Sequence, residues 1–164
     1  MSGMVFWFEE SDVFSGRQVH IDAWRYAARA GGIQSVRCIN KTNHKLNMGN
    51  EDFDVIGETD EDFINWCDEN SSDNLVFFDT PNTCPDSAIQ LRDLDHKAVD
   101  WYVFGAGSGF PRVYSKDHNS FIEYTNDKNC CYLPTNKNTM LHPLHIGSCV
   151  MLRRFEEIGG YDGC

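Results

Sequence analysis

Apolar and polar positions along this chain fall into short blocks whose period keeps changing. Residues 4 to 8, "MVFWF", form a short hydrophobic run that predicts a strand. From 20 to 32, "HIDAWRYAARAGG" shifts to helical spacing, with Ile21, Trp24, Ala27 and Ala28 on one face and Gly31-Gly32 as the stop. "IQSVRCI" (33 to 39) then predicts a strand. A helix follows over 59 to 70, entered through "TDED", where Thr59 can cap and Asp62 takes the reciprocal place of a capping box. "NLVFFDT" (74 to 80) is a continuous apolar strand, and a turn-rich stretch leads to another, "AVDWYVFG" (98 to 105). "SFIEYTN" (120 to 126) predicts a turn of helix or irregular chain, "NCCYLP" (129 to 134) a strand stopped by Pro134, and "LHIGSCVMLRRFEEI" (144 to 158) a long closing helix.

Strand and helix thus alternate through most of the chain. That order predicts an α/β fold: a mostly parallel sheet, helices on both faces, and ligands at the carboxyl ends of the strands. The 164 residues, 41% hydrophobic and 13% aromatic, suffice for one good core, so residues 1 to 164 read as a single domain. No run reaches the length of a membrane span, and "MSGMVFWFEESD" has neither the basic start nor the long apolar stretch of a signal peptide. The expectation is a soluble, cytoplasmic protein without a membrane partner.

Charge and cysteines narrow the chemistry. The formal net charge is −11, against the basic face that a phosphate-gripping protein normally shows. Much of the acid lies in residues 50 to 73, which read as a solvated helix with flanking loops. Seven cysteines, an odd number in a chain without an export signal, predict reduced thiols. Cys130, Cys131, His142, His145 and Cys149 are zinc-ligand types, but no pair of CxxC motifs is present and adjacent cysteines make awkward ligands, so no metal is expected.

The stretch with the strongest chemical content is "WYVFGAGSGFP" (101 to 111), a strand that runs into Gly105, Gly107 and Gly109. Glycines at a strand end let something approach the main chain closely. The loop lacks the Gly-Lys-Ser/Thr ending of a phosphate loop, and Pro111 falls where the helix of a dinucleotide fingerprint should begin. A tight structural loop explains such glycines equally well. "FFDT" and "CYLPTN" are two further strand ends that could share one crevice with it.

In order and spacing, three segments resemble the SPOUT class of methyltransferases, in particular the small single-domain tRNA ribose 2′-O-methyltransferases. The family's first motif, N-x-G-x-x-x-R-x-x-A-x-x-x-G, is similar to "VHIDAWRYAARAG", which supplies Arg25, Ala28 and Gly31. Its second, F-G-P-E-x-x-G-L-P, is similar to "FGAGSGFP". Its third, I-P-M, a loop, S-L-N or S-M-N and a helix ending near Gly-Tyr, is similar to Leu133-Pro134-Thr135, Leu144-His145 and Gly160-Tyr161. The resemblance covers nearly the whole chain and implies a C-terminal trefoil knot, a rare departure from unthreaded topology. It also implies S-adenosylmethionine (SAM) as cofactor, an RNA (tRNA) substrate and a homodimer whose subunits build the site together, with Trp24 and Phe155 on the first and last helices as candidate interface residues or else ordinary core residues.

By the same resemblance Gly105, Phe78, Leu133 and Leu144 would contact the cofactor; plain core packing is the other reading of the last three. Arg25 would be catalytic. Its pKa makes it a poor base, so its role would be to orient phosphate or ribose and lower the proton affinity of the hydroxyl; a helix-surface ion pair to Asp22 or Glu9 is the alternative. Arg29 and Arg112, with Arg17, would have to gather with Arg25 at the cofactor mouth to hold RNA. His145 would take the place of the third motif's Asn, or serve only as a histidine at a helix start. Departures are plain as well: Val19 stands at the first motif's Asn, the second motif's acid is absent from a loop one residue shorter, and Pro143-Leu144-His145 replaces Ser-Leu-Asn. Two other readings therefore stay open: a non-catalytic SAM-binding or protein-interaction domain on the same scaffold, and a generic α/β nucleotide-binding module.

Overall fold

The computed structural model describes residues 1–10, 16–46 and 52–159. Its centre is β1 (Gly3–Phe8), buried along its whole length. The side chains alternate: Met4, Phe6 and Phe8 join one core, Val5 and Trp7 another. A strand apolar on both faces has to lie inside a sheet covered on both sides.

From β1 the chain passes through α1 (Arg17–Ala30), β2 (Ser35–Asn40), β3 (Asp52–Gly57), α2 (Asp60–Glu69), β4 (Leu75–Asp79) and β5 (Ile89–Gln90). There follow β6 (Trp101–Phe104), β7 (Arg112–Ser115), β8 (Ser120–Glu123), β9 (Cys130–Tyr132) and α3 (Pro143–Ile158). Seven strands form one sheet in the order β3-β2-β1-β6-β4-β9-β5, and every neighbouring pair in it is parallel. β7 and β8 make a separate antiparallel hairpin. The α/β sheet expected from the alternation is therefore present. No described helix is long and apolar enough to cross a membrane.

Helices α1 and α3 cover one face. The buried side of α1 carries His20, Ile21, Trp24, Ala27 and Ala28, the predicted stripe plus one histidine. Trp24 stacks on Phe6 with ring centroids 5.1 Å apart and meets Phe104 at 5.4 Å. α3 approaches so closely that a Cβ on Gly147 would stand 2.5 Å from the Trp24 ring, and one on Gly31 would stand 2.7 Å from Met151 Sδ. Trp24, expected as a subunit-interface residue, is thus 1% exposed inside its own chain, whereas Phe155 is 40% exposed. On the other face α2 inserts Phe63 against Trp7, Phe110 and Tyr124. Its start is the predicted capping box: the Thr59 hydroxyl accepts from the Asp62 amide, and the Asp62 carboxylate accepts from the Thr59 amide.

Two expectations need correction. Residues 50 to 73 are not only a helix with loops, because β3 forms the sheet edge beside β2. In it Asp52 and Asp54 are exposed and Phe53 is buried, so an edge strand's solvent side looks, in sequence, like the acidic loop around it. Residues 120 to 126 form β8 followed by a 3₁₀ turn at Tyr124–Asp127. Gly160 and Tyr161, the end of the third motif, lie outside the described residues.

Beneath α3, His96 is buried with Nδ1 2.8 Å from the Tyr102 hydroxyl and Nε2 3.6 Å from Glu157. Burial depresses its pKa below the ordinary 6.5, helped by Arg154 and Arg153 and opposed by Glu157 and Asp95. An unfolded histidine takes up its proton at a higher pH than this one. Its contribution to stability is therefore complete above about 6.5 and is lost as the pH falls through the depressed folded value.

Two outcomes follow for stability. Gly147→Val drives a branched side chain into Trp24 and lowers unfolding free energy by about 2 kcal/mol or more in urea titration, while Ser148→Ala beside it changes stability by less than half as much. His96→Gln keeps a partner for Tyr102 without a group that titrates near neutrality. Thermal melts at pH 7.5 and pH 5 should show a smaller acid loss in this variant than in the parent; an equal loss would place the acid sensitivity elsewhere.

Candidate functional site

Where β4 and β6 end, the chain has to leave the sheet, and the two exits leave a cleft between them. β4 delivers Phe78 and Asp79, which lie in register with Phe104 and Tyr132 of the neighbouring strands. β6 delivers Phe104 and then the glycine loop. Phe78 and Phe104 stack with centroids 5.0 Å apart, forming an apolar floor. Over it close Met140 and Leu141 from the segment before α3 and Pro143 and Ile146 from its first turn; the helix entry is fixed by Pro143 and by His142, whose Nδ1 accepts from the Leu144 amide. The resulting cavity has a volume of about 180 Å³.

The glycine loop supplies main chain to this cavity from Gly105 to Gly109. Its shape comes from a tight turn in which the Gly109 amide donates to the Ala106 carbonyl at 2.9 Å and Gly109 adopts φ +96°. Only a residue without Cβ takes that conformation without strain. At Gly105 an added Cβ would lie 3.3 Å from the Phe110 ring, a tight contact that the ring would have to yield slightly to accept.

The cavity's polar groups come from three elements. The Asp79 carboxylate accepts from the Thr80 amide at 2.8 Å, and the Thr80 and Thr83 hydroxyls are 2.8 Å apart. Burial pushes the Asp79 carboxyl above the usual range, partly countered by hydrogen bonds from Thr83 and Thr80. From the hairpin, Arg112 Nε donates to Glu123 Oε1 at 3.2 Å, and both residues line the cavity. Glu123 Oε2 is buried with no hydrogen-bond partner among the described residues.

Of the residues singled out in sequence, Phe78, Gly105 and Arg112 come together at this cavity. Leu133 is half-buried against the α1/α3 core, and Leu144 is buried in that core between the lining residues Pro143 and Ile146. Arg25 is on α1 with Nη1 2.8 Å from Asp22 Oδ1, the ion pair foreseen as its alternative role. Arg29 lies over the Tyr26 ring, Arg17 pairs with Glu10, and His145 is exposed with its ring 6.2 Å from that of His142. Of these four arginines only Arg112 lines the cavity. Asp79, Thr80, Thr83 and Glu123 were not identified from sequence as site residues. The signal for Asp79 was a carboxylate closing the apolar run "LVFFD"; Glu123 had none, since the hairpin that carries it was not foreseen.

The cysteines take separate environments. Cys131 faces the α1/α3 core and Cys130 the other, as neighbours on a strand must, and burial raises both thiols to about 12. Among the described residues no group of three or more His, Cys, Asp or Glu is arranged to hold a metal.

No protein-family model matches the chain, and no curated protein matches it. Solved structures do share its fold. One is the SpoU methyltransferase AviRb from Streptomyces viridochromogenes in complex with the cofactor AdoMet, at TM-score 0.54 and 12% identity over 96% of this chain and 58% of that one. Another is an RNA 2′-O ribose methyltransferase, at TM-score 0.57 and 9% identity over 96% of this chain and 56% of that one. The chain spans somewhat over half the length of each. What it shares with them is architecture: this chain has the fold of the SpoU (SPOUT-class) RNA methyltransferases.

Proposed function

We propose that this domain is a SAM-dependent methyltransferase acting on RNA in the cytoplasm, at a ribose 2′-hydroxyl of tRNA. The observation that carries the reading is the cavity itself: glycine-loop main chain and an apolar floor at the carboxyl ends of β4 and β6, roofed by the start of α3. Such a surface suits an adenine ring, which needs amides and carbonyls within reach and flat apolar contact elsewhere. SAM, when bound, supplies a methyl group activated on a sulfonium. Phe78, Phe104 and Ile146 exclude water, Gly105 to Gly109 offer backbone partners, and Leu133 and Leu144 brace the wall from behind. The same reading carries the threaded C-terminal segment with it.

Chemistry needs a group at the acceptor hydroxyl, and within one copy Arg25 does not line the cavity. In this reading the site is completed in a homodimer, where α1 of one copy faces the cavity of the other. There the Arg25 guanidinium would exchange Asp22 for the acceptor ribose and stabilise its 2′-oxygen as the hydroxyl gives up its proton to solvent, with bound SAM as the source of the methyl group. Arg29, Arg112 and His145 are the proposed RNA contacts. One observation favours a non-catalytic, SAM-binding domain instead: Arg17, Arg25 and Arg112 each already bind a carboxylate of their own chain.

Transfer of labelled methyl from SAM to total tRNA at low salt separates these readings. The parent should label RNA, and Arg25→Ala should abolish labelling while leaving SAM affinity by calorimetry nearly unchanged. Arg25→Lys should rescue little, because an ammonium lacks the planar fork. SAM binding without labelling of any RNA would favour the non-catalytic domain. Light scattering tests the dimer: the mass should be about twice that of one chain and should fall towards monomer in Phe155→Glu, since a two-fold contact meets each substitution twice. A parent that is monomeric at micromolar concentration would remove the shared site.

A further inference from the structure

The charges on the cavity wall do not cancel. Among the described lining residues the charged side chains are Asp79, Glu123 and Arg112. Arg112 is mostly in solvent, its side chain 72% exposed, while the Glu123 side chain is 27% exposed. Solvent therefore weakens the cation more than the anions. Asp79 is half-buried at the end of β4, held by the Thr80 amide and by Thr83 and, among the described residues, paired with no cation. Glu123 gives one oxygen to Arg112 and keeps Oε2 buried and unpartnered. A buried carboxylate oxygen without a donor is costly, and a positive charge placed nearby offsets part of that cost.

A ligand that satisfies this wall brings positive charge. SAM has a sulfonium and an ammonium against a single carboxylate, whereas S-adenosylhomocysteine, the product left after the methyl group departs, has lost the sulfonium charge. The geometry points to Asp79 and Glu123 as the residues that make this cavity select the charged methyl donor over its neutral thioether product. Adenine contacts with the glycine loop would be common to both ligands. The carboxylates would thus set the difference in affinity, and the product would be held less tightly once the charge is gone. This inference rests on the cofactor reading above and adds to it a specificity at the same site.

Calorimetry with SAM, S-adenosylhomocysteine and adenosine on the parent, Asp79→Asn, Glu123→Gln and the double variant tests it. The parent should prefer SAM over S-adenosylhomocysteine by about tenfold, equivalent to about 1.4 kcal/mol. Each single substitution should shrink that ratio and the double variant should bring it near one, with adenosine affinity unchanged throughout. Asparagine retains an acceptor for the Thr80 amide, so retained adenosine binding reports an intact pocket. Equal affinity of the parent for SAM and S-adenosylhomocysteine, or a preference that survives in the double variant, would overturn the selectivity and leave the cofactor site standing. Failure of the parent to bind any of the three ligands would remove both.

Discussion

Much of this architecture depends on the contact between the Trp24 indole and the glycine face of α3. Trp24 belongs to α1, stacks on Phe6 of β1, meets Phe104 of β6 and lies where Gly147 leaves no side chain. One ring therefore ties two helices to the two central strands. Its Nε1 is buried without a hydrogen-bond partner among the described residues, a cost that the aromatic packing must offset. Had Gly147 a side chain, α3 would have to move away from the sheet. Pro143 and Ile146, in the first turn of that helix, form part of the cavity roof. The floor is equally tied to the hub, since Phe104 touches both Trp24 and Phe78. Packing around Trp24 thus bears on both the floor and the roof of the cleft.

What the sequence made legible follows from how strongly each element is buried. β1, β4 and β6 are covered on both sides and read as unbroken apolar runs; α1 has a single buried stripe, and α2 begins with a capping box whose two hydrogen bonds are both made. β3 was obscured because only Phe53 and part of its far end face inward. The β7–β8 hairpin stands off the main sheet with Tyr114 and Phe121 exposed, and its turn uses Asn119 at φ +47° where a glycine would have announced it. A strand whose partner lies outside the core leaves little hydrophobic pattern to find.

The site shows the same division. Motif order located Phe78 and Gly105 at the cavity because strand ends are set by the sheet, which the pattern reveals. It could not say which flank of Pro143 turns inward, and Leu144 points to the core while Pro143 and Ile146 line the cavity. The Arg25–Asp22 ion pair was one of the two roles the sequence offered for that arginine, whereas the pairing of Arg17 with Glu10 and of Arg112 with Glu123 had no signal in it. In a chain of net charge −11, an exposed arginine has many acidic neighbours from which to draw a partner. Arg17 and Arg112 make their pairs in solvent, where such pairs are worth little, whereas the Arg25 side chain is only 11% exposed beside Asp22.

Charge also gives a reason for the most visible gap in the motifs. The glycine loop "GAGSG" has no acidic residue where the resembling family places one. In three dimensions the cavity is nonetheless acidic, because Asp79 arrives from the preceding strand and Glu123 from a hairpin some twenty residues downstream of Phe104 in the chain. A carboxylate on a strand end or on a paired hairpin strand is more firmly placed than one on a glycine loop, where the backbone must also turn. With both carboxylates on other elements, Gly105 packs beside Phe110 and Gly109 makes its turn without either position carrying a side chain. The negative charge of the cavity wall thus comes from β4 and from the hairpin, and none of it from the glycine loop.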